Sequence, residues 1–178
     1  MDQTIIESII KRAICDLKRN DMDIVELDEE SQVFEYLPDQ EKLERKLHEV
    51  CINHRLAVYL EKYIKKIDPS YHIDIEYNRY YKNKKHVDTK NYKGNVRPDI
   101  IVHKRMNSEG VQHLLIIEAK KDKTDSIDEE KIIAMMEDSK YGYKYGSRIR
   151  YNSIRDIKID LYYWDDNEIK KRALTICC

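Results

Sequence analysis

A chain of 178 residues is long enough for one domain with a sizeable core, and 38% charged against 41% hydrophobic residues suits a globular protein with a heavily charged surface. A net charge of −1 excludes a global basic field that would draw in nucleic acid, and no apolar run approaches the ~20 residues that cross a bilayer. The charge is unevenly spread, however: residues 20–49 hold eleven acidic and three basic side chains, whereas residues 79–97 hold seven basic ones and a single acid, Asp88.

The opening Met1-Asp2-Gln3-Thr4 lacks the basic region and apolar core of a signal peptide. Cys15, Cys51, Cys177 and Cys178 form no C-x-x-C pair and no zinc spacing, so reduced thiols in a cytoplasmic protein are expected. Residues 2–18 predict an amphipathic helix, because Ile5, Ile6, Ile9, Ile10, Ala13, Ile14 and Leu17 recur at three- and four-residue spacing. An acidic, irregular connector follows, with Val33, Phe34, Tyr36 and Leu37 as an apolar knot. Pro38 and Asp39 signal the start of a second helix over residues 40–67, which ends before Asp68-Pro69. Apolar residues on nearly every side of it around residues 50–60 predict a central position, and Glu49 and Asn53 lie one turn apart on a shared face.

Residues 71–81 alternate in a strand pattern, Ile73, Ile75 and Tyr77 against Asp74, Glu76 and Asn78. Residues 79–97 form a basic, tyrosine-interleaved loop in which Arg79, Lys82, Lys84, Lys85, Lys93 and Arg97 are candidate contacts to phosphates, and the tyrosines could stack on bases. Two apolar strands come next, over residues 97–103 and 114–121, with turn chemistry at residues 107–110 between them. Charged groups interrupt these strands: Asp99 near the start of the first, Glu118 and Lys120 at the end of the second. In a hairpin these three meet on one patch, since the strand period of two puts Glu118 and Lys120 on one face and Lys121 on the other. Lys121 is therefore a phosphate contact at most. Two carboxylates forced together call for a positive partner, and Mg²⁺ or Mn²⁺ with oxygen ligands would supply it. A capping box, Ser126 to Glu129, opens a helix to about residue 140, with Ile132, Ile133, Met136 and Ala134 as its apolar side. Residues 147–151 predict a short strand, residues 157–164 a clearer one, and Asp165-Asp166-Asn167 a turn into a last strand.

Pro98-Asp99 and Glu118-Ala119-Lys120, in this order and context, resemble the PD-(D/E)XK nuclease superfamily. A longer set of segments, covering roughly residues 49–145, resembles an uncharacterised bacterial group within it: Glu49 with Arg55-Leu56, Glu76 to Arg79, Pro98 to His103 and Ile116 to Lys121. The resemblance implies an α/β (α+β) fold of the restriction-endonuclease type, a central mixed sheet flanked by helices. An extra N-terminal helix and a C-terminal hairpin would be added to it. The whole chain, residues 1–178, would be one nuclease-like domain, with residues 1–40 as helix and acidic connector and 41–178 as the core. It implies a Mg²⁺- or Mn²⁺-dependent endonuclease acting on phosphodiester bonds, with DNA the favoured substrate. Asp99 and Glu118 would be ligands together with the Ala119 carbonyl, Lys120 would orient or deprotonate the attacking water, and Glu49 would complete the metal site. His48 or His54 could also point there, and an RNA endonuclease is one alternative. A catalytically silent nucleic-acid-binding or protein-interaction module of the same fold is the other. Cleavage of both strands would call for two sites and hence a homodimer, though no interface is legible.

Overall fold

The computed structural model describes residues 1–21, 49–80, 82–105, 112–121, 126–151 and 156–178. The apolar knot at residues 33–37, the helix start at Pro38, His48 and the turn at residues 107–110 lie outside the described residues. Among the described residues three helices surround a mixed six-stranded sheet, an α+β arrangement.

Helix α1 (Gln3–Asn20) is capped by Asp2, whose Oδ1 accepts the Ile5 N–H at 2.9 Å and satisfies a donor left open by the first helical turn. Its stripe of Ile6, Ile9, Ile10, Ala13, Ile14 and Leu17 is buried, as the three- and four-residue spacing dictates. Helix α2 (Glu49–Ile64) packs on α1 and on the sheet, burying Ile52, Leu56, Leu60 and Ile64. It stops three residues short of the expected end at residue 67. Buried acids tie the two helices: Asp16 accepts from Lys62 Nζ and Tyr63 Oη, each at 2.8 Å, and Asp21 from Arg55 Nε at 2.7 Å.

The strands are β1 (His72–Ile75), β2 (Arg79–Tyr80), β3 (Asn83–Lys84), β4 (His86–Asp88), β5 (Lys93–Asn95), β6 (Ile100–Lys104), β7 (Gln112–Lys121), β8 (Tyr145–Tyr151), β9 (Ile157–Asp165) and β10 (Glu168–Leu174). The sheet runs β1-β6-β7-β8-β9-β10. Among the described strands only β7 and β8 are parallel neighbours, and helix α3 (Ser126–Glu137) lies in the crossover between them. The expected strand at residues 71–81 is shorter, and the expected basic loop folds into two small hairpins, β2–β3 and β4–β5. The stretch at residues 147–151, expected to be short, is an inner strand of seven residues. The last hairpin turns through Asp166 and Asn167, both left-handed at φ 48° and 65°, the geometry that matches strand twist in a two-residue loop.

One face of the sheet is covered by α1 and α2, over Val102, Leu115, Ile117, Ala119, Ile149 and Tyr151. The other is covered by α3, whose Ile132, Met135 and Met136 meet Ile101, Ile116 and Tyr162. Gly146 lets α3 approach: a Cβ there would overlap Ile132 Cγ2, so this glycine serves close packing rather than a turn. The turn belongs to Gly142, at φ 53°. The expectation of reduced thiols holds for Cys51 and Cys177 but is corrected for the other pair. Cys15 of α1 and Cys178 are disulfide-bonded, with Cα atoms 5.8 Å apart. Folding brings together cysteines 163 residues apart, a proximity that spacing along the chain cannot reveal.

A candidate active site at the ends of β6 and β7

Antiparallel register pairs Ile101 with Ile116 and Ile100 with Ile117, so Asp99 falls opposite Glu118. The two carboxylates lie on the α3 side of the sheet, where Asp99 is 5% and Glu118 4% exposed. The Ala119 N–H donates to Asp99 Oδ2 at 2.8 Å and fixes that carboxylate against β7. Ala119 thus takes part in the site through its N–H. Lys120 reaches outward, its side chain 32% exposed. Its Nζ stands 3.7 Å from Asp99 Oδ2 and donates to Glu49 Oε1 at 3.2 Å.

Glu49 does reach the site from the described start of α2. Its second oxygen, Oε2, accepts the Lys121 N–H at 2.9 Å, which joins the helix to the end of β7. All four expected residues, Glu49, Asp99, Glu118 and Lys120, therefore converge. His54, the alternative, is exposed on the outside of α2. Arg55, a potential partner for Glu49, is engaged by Asp21 instead.

The electrostatics are those of a site short of positive charge. Burial holds Glu118 well above the usual carboxylate range, and the Asp99 charge adds to it against Lys131 and Lys120. Burial likewise raises Asp99, opposed by the Ala119 N–H and Lys120 and reinforced by Glu49 and Glu76. For Lys120 burial works against the charge, but Asp99, Glu49 and Glu118 outweigh it and hold the ammonium above the ordinary lysine value. Among the described residues no group of three or more His, Cys, Asp and Glu side chains is gathered to hold a metal ion. In this arrangement the Lys120 ammonium stands nearest Asp99, and Lys131 also acts on Glu118.

Two residues at the site escaped the sequence reading. Tyr151, which pairs with Lys121 across β7 and β8, is 1% exposed, and its hydroxyl has no hydrogen-bond partner among the described residues. Burial raises its pKa well above that of free tyrosine, and the Asp99 and Glu49 charges add to the effect. Asn53 Oδ1, one turn beyond Glu49, is also buried and has no hydrogen-bond partner among the described residues. The shared face of Glu49 and Asn53 was legible, but the position of Tyr151 depends on the parallel register. Glu76 is the second. It is left-handed at φ 53°, a strained conformation for a glutamate, and donates its N–H to the Asp99 carbonyl at 3.0 Å.

The basic segment divides. Arg79, Lys82 and Lys84 are exposed on the β2–β3 hairpin. Lys93 is paired with Asp88 at 2.5 Å and Arg97 with Glu76 at 2.7 Å. Lys121 is half-buried. Lys85 departs from the expectation: it is 0% exposed, donates to Tyr143 Oη at 2.9 Å and stands over the rings of Tyr77 and Tyr143. No phosphate backbone can reach it, because the hairpins fold it inward.

Comparison of the chain with protein-family models, with curated proteins and with solved structures finds no match. No helix among the described residues is long and apolar enough to cross a membrane.

Proposed function

We propose that this chain is a metal-dependent nuclease that hydrolyses phosphodiester bonds, with a restriction-endonuclease-like core and DNA as the favoured substrate. The observation that supports it best is the convergence of Glu49, Asp99, Glu118 and Lys120 from three separate elements. The donor set suits Mg²⁺ or Mn²⁺: the acidic groups are oxygen ligands, and burial leaves Asp99 and Glu118 in need of compensating charge. A cation held by these two, with Glu49 beside them, would polarise a phosphoryl oxygen and acidify a bound water.

The chain's own residues have separable tasks. The Ala119 N–H holds Asp99 in one orientation. Glu49 holds the Lys120 ammonium and, through the Lys121 N–H, the end of β7. Lys120, partly exposed, offers a positive charge to a phosphate oxygen or to the attacking water. The buried Tyr151 hydroxyl, at the end of β8 opposite Lys121, has no hydrogen-bond partner among the described residues and is a spare donor near the site.

A specific observation favours a second reading, a silent nucleic-acid-binding module: the lysine already neutralises Glu49 and Asp99 without a metal. A cleavage assay separates the two. Purified protein should cut DNA with Mg²⁺ or Mn²⁺ and stop with EDTA, and Glu118→Ala should abolish cutting. Salt-dependent binding with no cleavage under any of these ions would reject the enzyme and leave the module. Running single-stranded RNA beside DNA tests the RNA alternative, from which the outward His54 removes one support.

A further inference from the structure

The register of the inner strands sets charges in rows across the α3 face of the sheet. One row is Glu118, Arg148 and Asp160, from β7, β8 and β9. Its signs alternate, and Arg148 is satisfied: it contacts Asp160 at 2.7 Å and Glu129 of α3 at 3.2 Å, with its side chain 12% exposed. Arg148, Asp160 and Glu129 thus form a structural ion-pair cluster, while Glu118 belongs to the candidate site.

The next row toward the strand ends is Lys120, Arg150 and Lys158, and all three are positive. Like charges directly opposite on neighbouring strands oppose pairing, so this arrangement costs the sheet stability unless an anion lies across it. Lys120 is held by Glu49 at 3.2 Å and stands 3.7 Å from Asp99, but the acids near the other two members do little to relieve them. Arg150 lies 3.9 Å from Asp160, which is already held closer by Arg148, and Lys158 lies 3.6 Å from the exposed Asp156. The two outer side chains are 31% and 55% exposed. Helix α3 covers Gly146, about 13 Å back along β8, and leaves Arg150 open. A cleft of about 290 Å³ beside the start of β9, at the end of the sheet, has Arg150, Lys158, Lys18 of α1 and Asp160 at its charged side and mainly apolar residues such as Ile157, Ile159 and Leu174 over the rest. Strands are about 4.8 Å apart, so the row extends roughly 10 Å from the candidate catalytic lysine.

We infer that Lys120, Arg150 and Lys158 form the track along which the phosphodiester backbone of the substrate strand crosses the sheet from β9 to β7. This rests on the nuclease reading and deepens it, because it sets the strand's path across the open sheet face rather than over the β2–β3 hairpin. Lys120 meets the phosphate at the site, and Arg150 and Lys158 meet its neighbours on one side. Phosphate contacts of this kind position a strand without reading its sequence, so the binding should be strongly salt-dependent and tolerant of base sequence.

The test is fluorescence anisotropy with labelled single- and double-stranded DNA oligonucleotides in EDTA, which separates binding from cleavage. Arg150→Glu with Lys158→Glu should weaken binding at least tenfold. The neutral pair Arg150→Gln with Lys158→Gln, which is gentler on folding, should reduce the slope of log affinity against log salt by roughly 1.5. Lys82→Gln with Lys84→Gln on the hairpin should have the smaller effect. Wild-type binding that is unchanged in the row variants, or lost instead in the hairpin variants, overturns the track and leaves the nuclease reading standing. Absence of any wild-type binding overturns both.

Discussion

The α3 face of the sheet carries two clusters of buried ionisable groups, and they solve the problem of buried charge in opposite ways. At the ends of β6 and β7, Asp99 and Glu118 are crowded together, and the neighbouring Lys120 stays partly exposed. Under the small hairpins, Lys85 is sealed between tyrosine rings and hydrogen-bonded to Tyr143, while His113 packs on Tyr143 with ring centres 4.6 Å apart and His103 binds Asp74 at 2.7 Å. In the first cluster Glu49, Asp99 and Glu118 share the Lys120 ammonium at the edge of solvent, where a further cation and a substrate could enter. The second satisfies its groups internally. Burial alone therefore does not single out a candidate site; buried carboxylates crowded together beside a solvent-accessible lysine do.

The sharpest break between the two is functional. Lys120→Ala should lower the cleavage rate by about two to three orders of magnitude, with some loss of melting temperature because Glu49 and Asp99 lose their cation, whereas Lys85→Met should leave cleavage intact. Steady-state kinetics beside thermal melts check both, and equal losses in the two variants would erase the distinction. Next in size is the coupling within the sealed cluster. Tyr143→Phe should cost about 1–3 kcal/mol, since it strips the buried Lys85 of its hydrogen bond. Adding Lys85→Met should recover much of that loss, because an apolar pair needs no partner. Denaturant unfolding of the two single variants and the double variant measures the cycle.

The sealed cluster also has a pH signature. Burial, with the nearby Lys85 charge, pushes His113 down to about 4, so the unfolded chain binds its proton more readily than the folded one. Stability from this group is full above the unfolded value of 6.5 and is lost as pH falls through about 4. Asp74, held down to about 2 chiefly by the His103 hydrogen bond, adds a further loss as pH falls below 3.8. Melting temperatures in wild type should therefore drop from pH 6.5 to 4, and His113→Phe should flatten that part of the curve. The smallest expected effect is at the other cluster. Tyr151→Phe removes a hydroxyl with no partner and should leave stability level or slightly higher, while lowering cleavage and weakening Mn²⁺ binding by calorimetry. A clear loss of stability with unchanged cation affinity would make Tyr151 a structural residue.

Much of the open site was legible in the sequence, and little of the sealed one. Asp99, Glu118 and Lys120 were readable because a strand's period of two and a hairpin's register determine which side chains meet. Glu49 could be placed only through the resemblance, since no local rule says where a helix end will meet a sheet. Lys85 misled because it sits in a basic run, and composition cannot tell which member of a run a hairpin folds inward. Arg150, Lys158 and Tyr151 acquired positions only from the parallel pairing of β7 with β8, a contact that follows from the α3 crossover. The Cys15–Cys178 pairing is equally nonlocal.

The most direct measurement is a crystal structure of the protein soaked in Mn²⁺, read by its anomalous signal. The account predicts one strong peak bound by Asp99 and Glu118, with the Lys120 ammonium moved away from Asp99 and Glu49 beside the ion. A site without a peak, and with Lys120 still bridging Glu49 and Asp99 at saturating Mn²⁺, would contradict it.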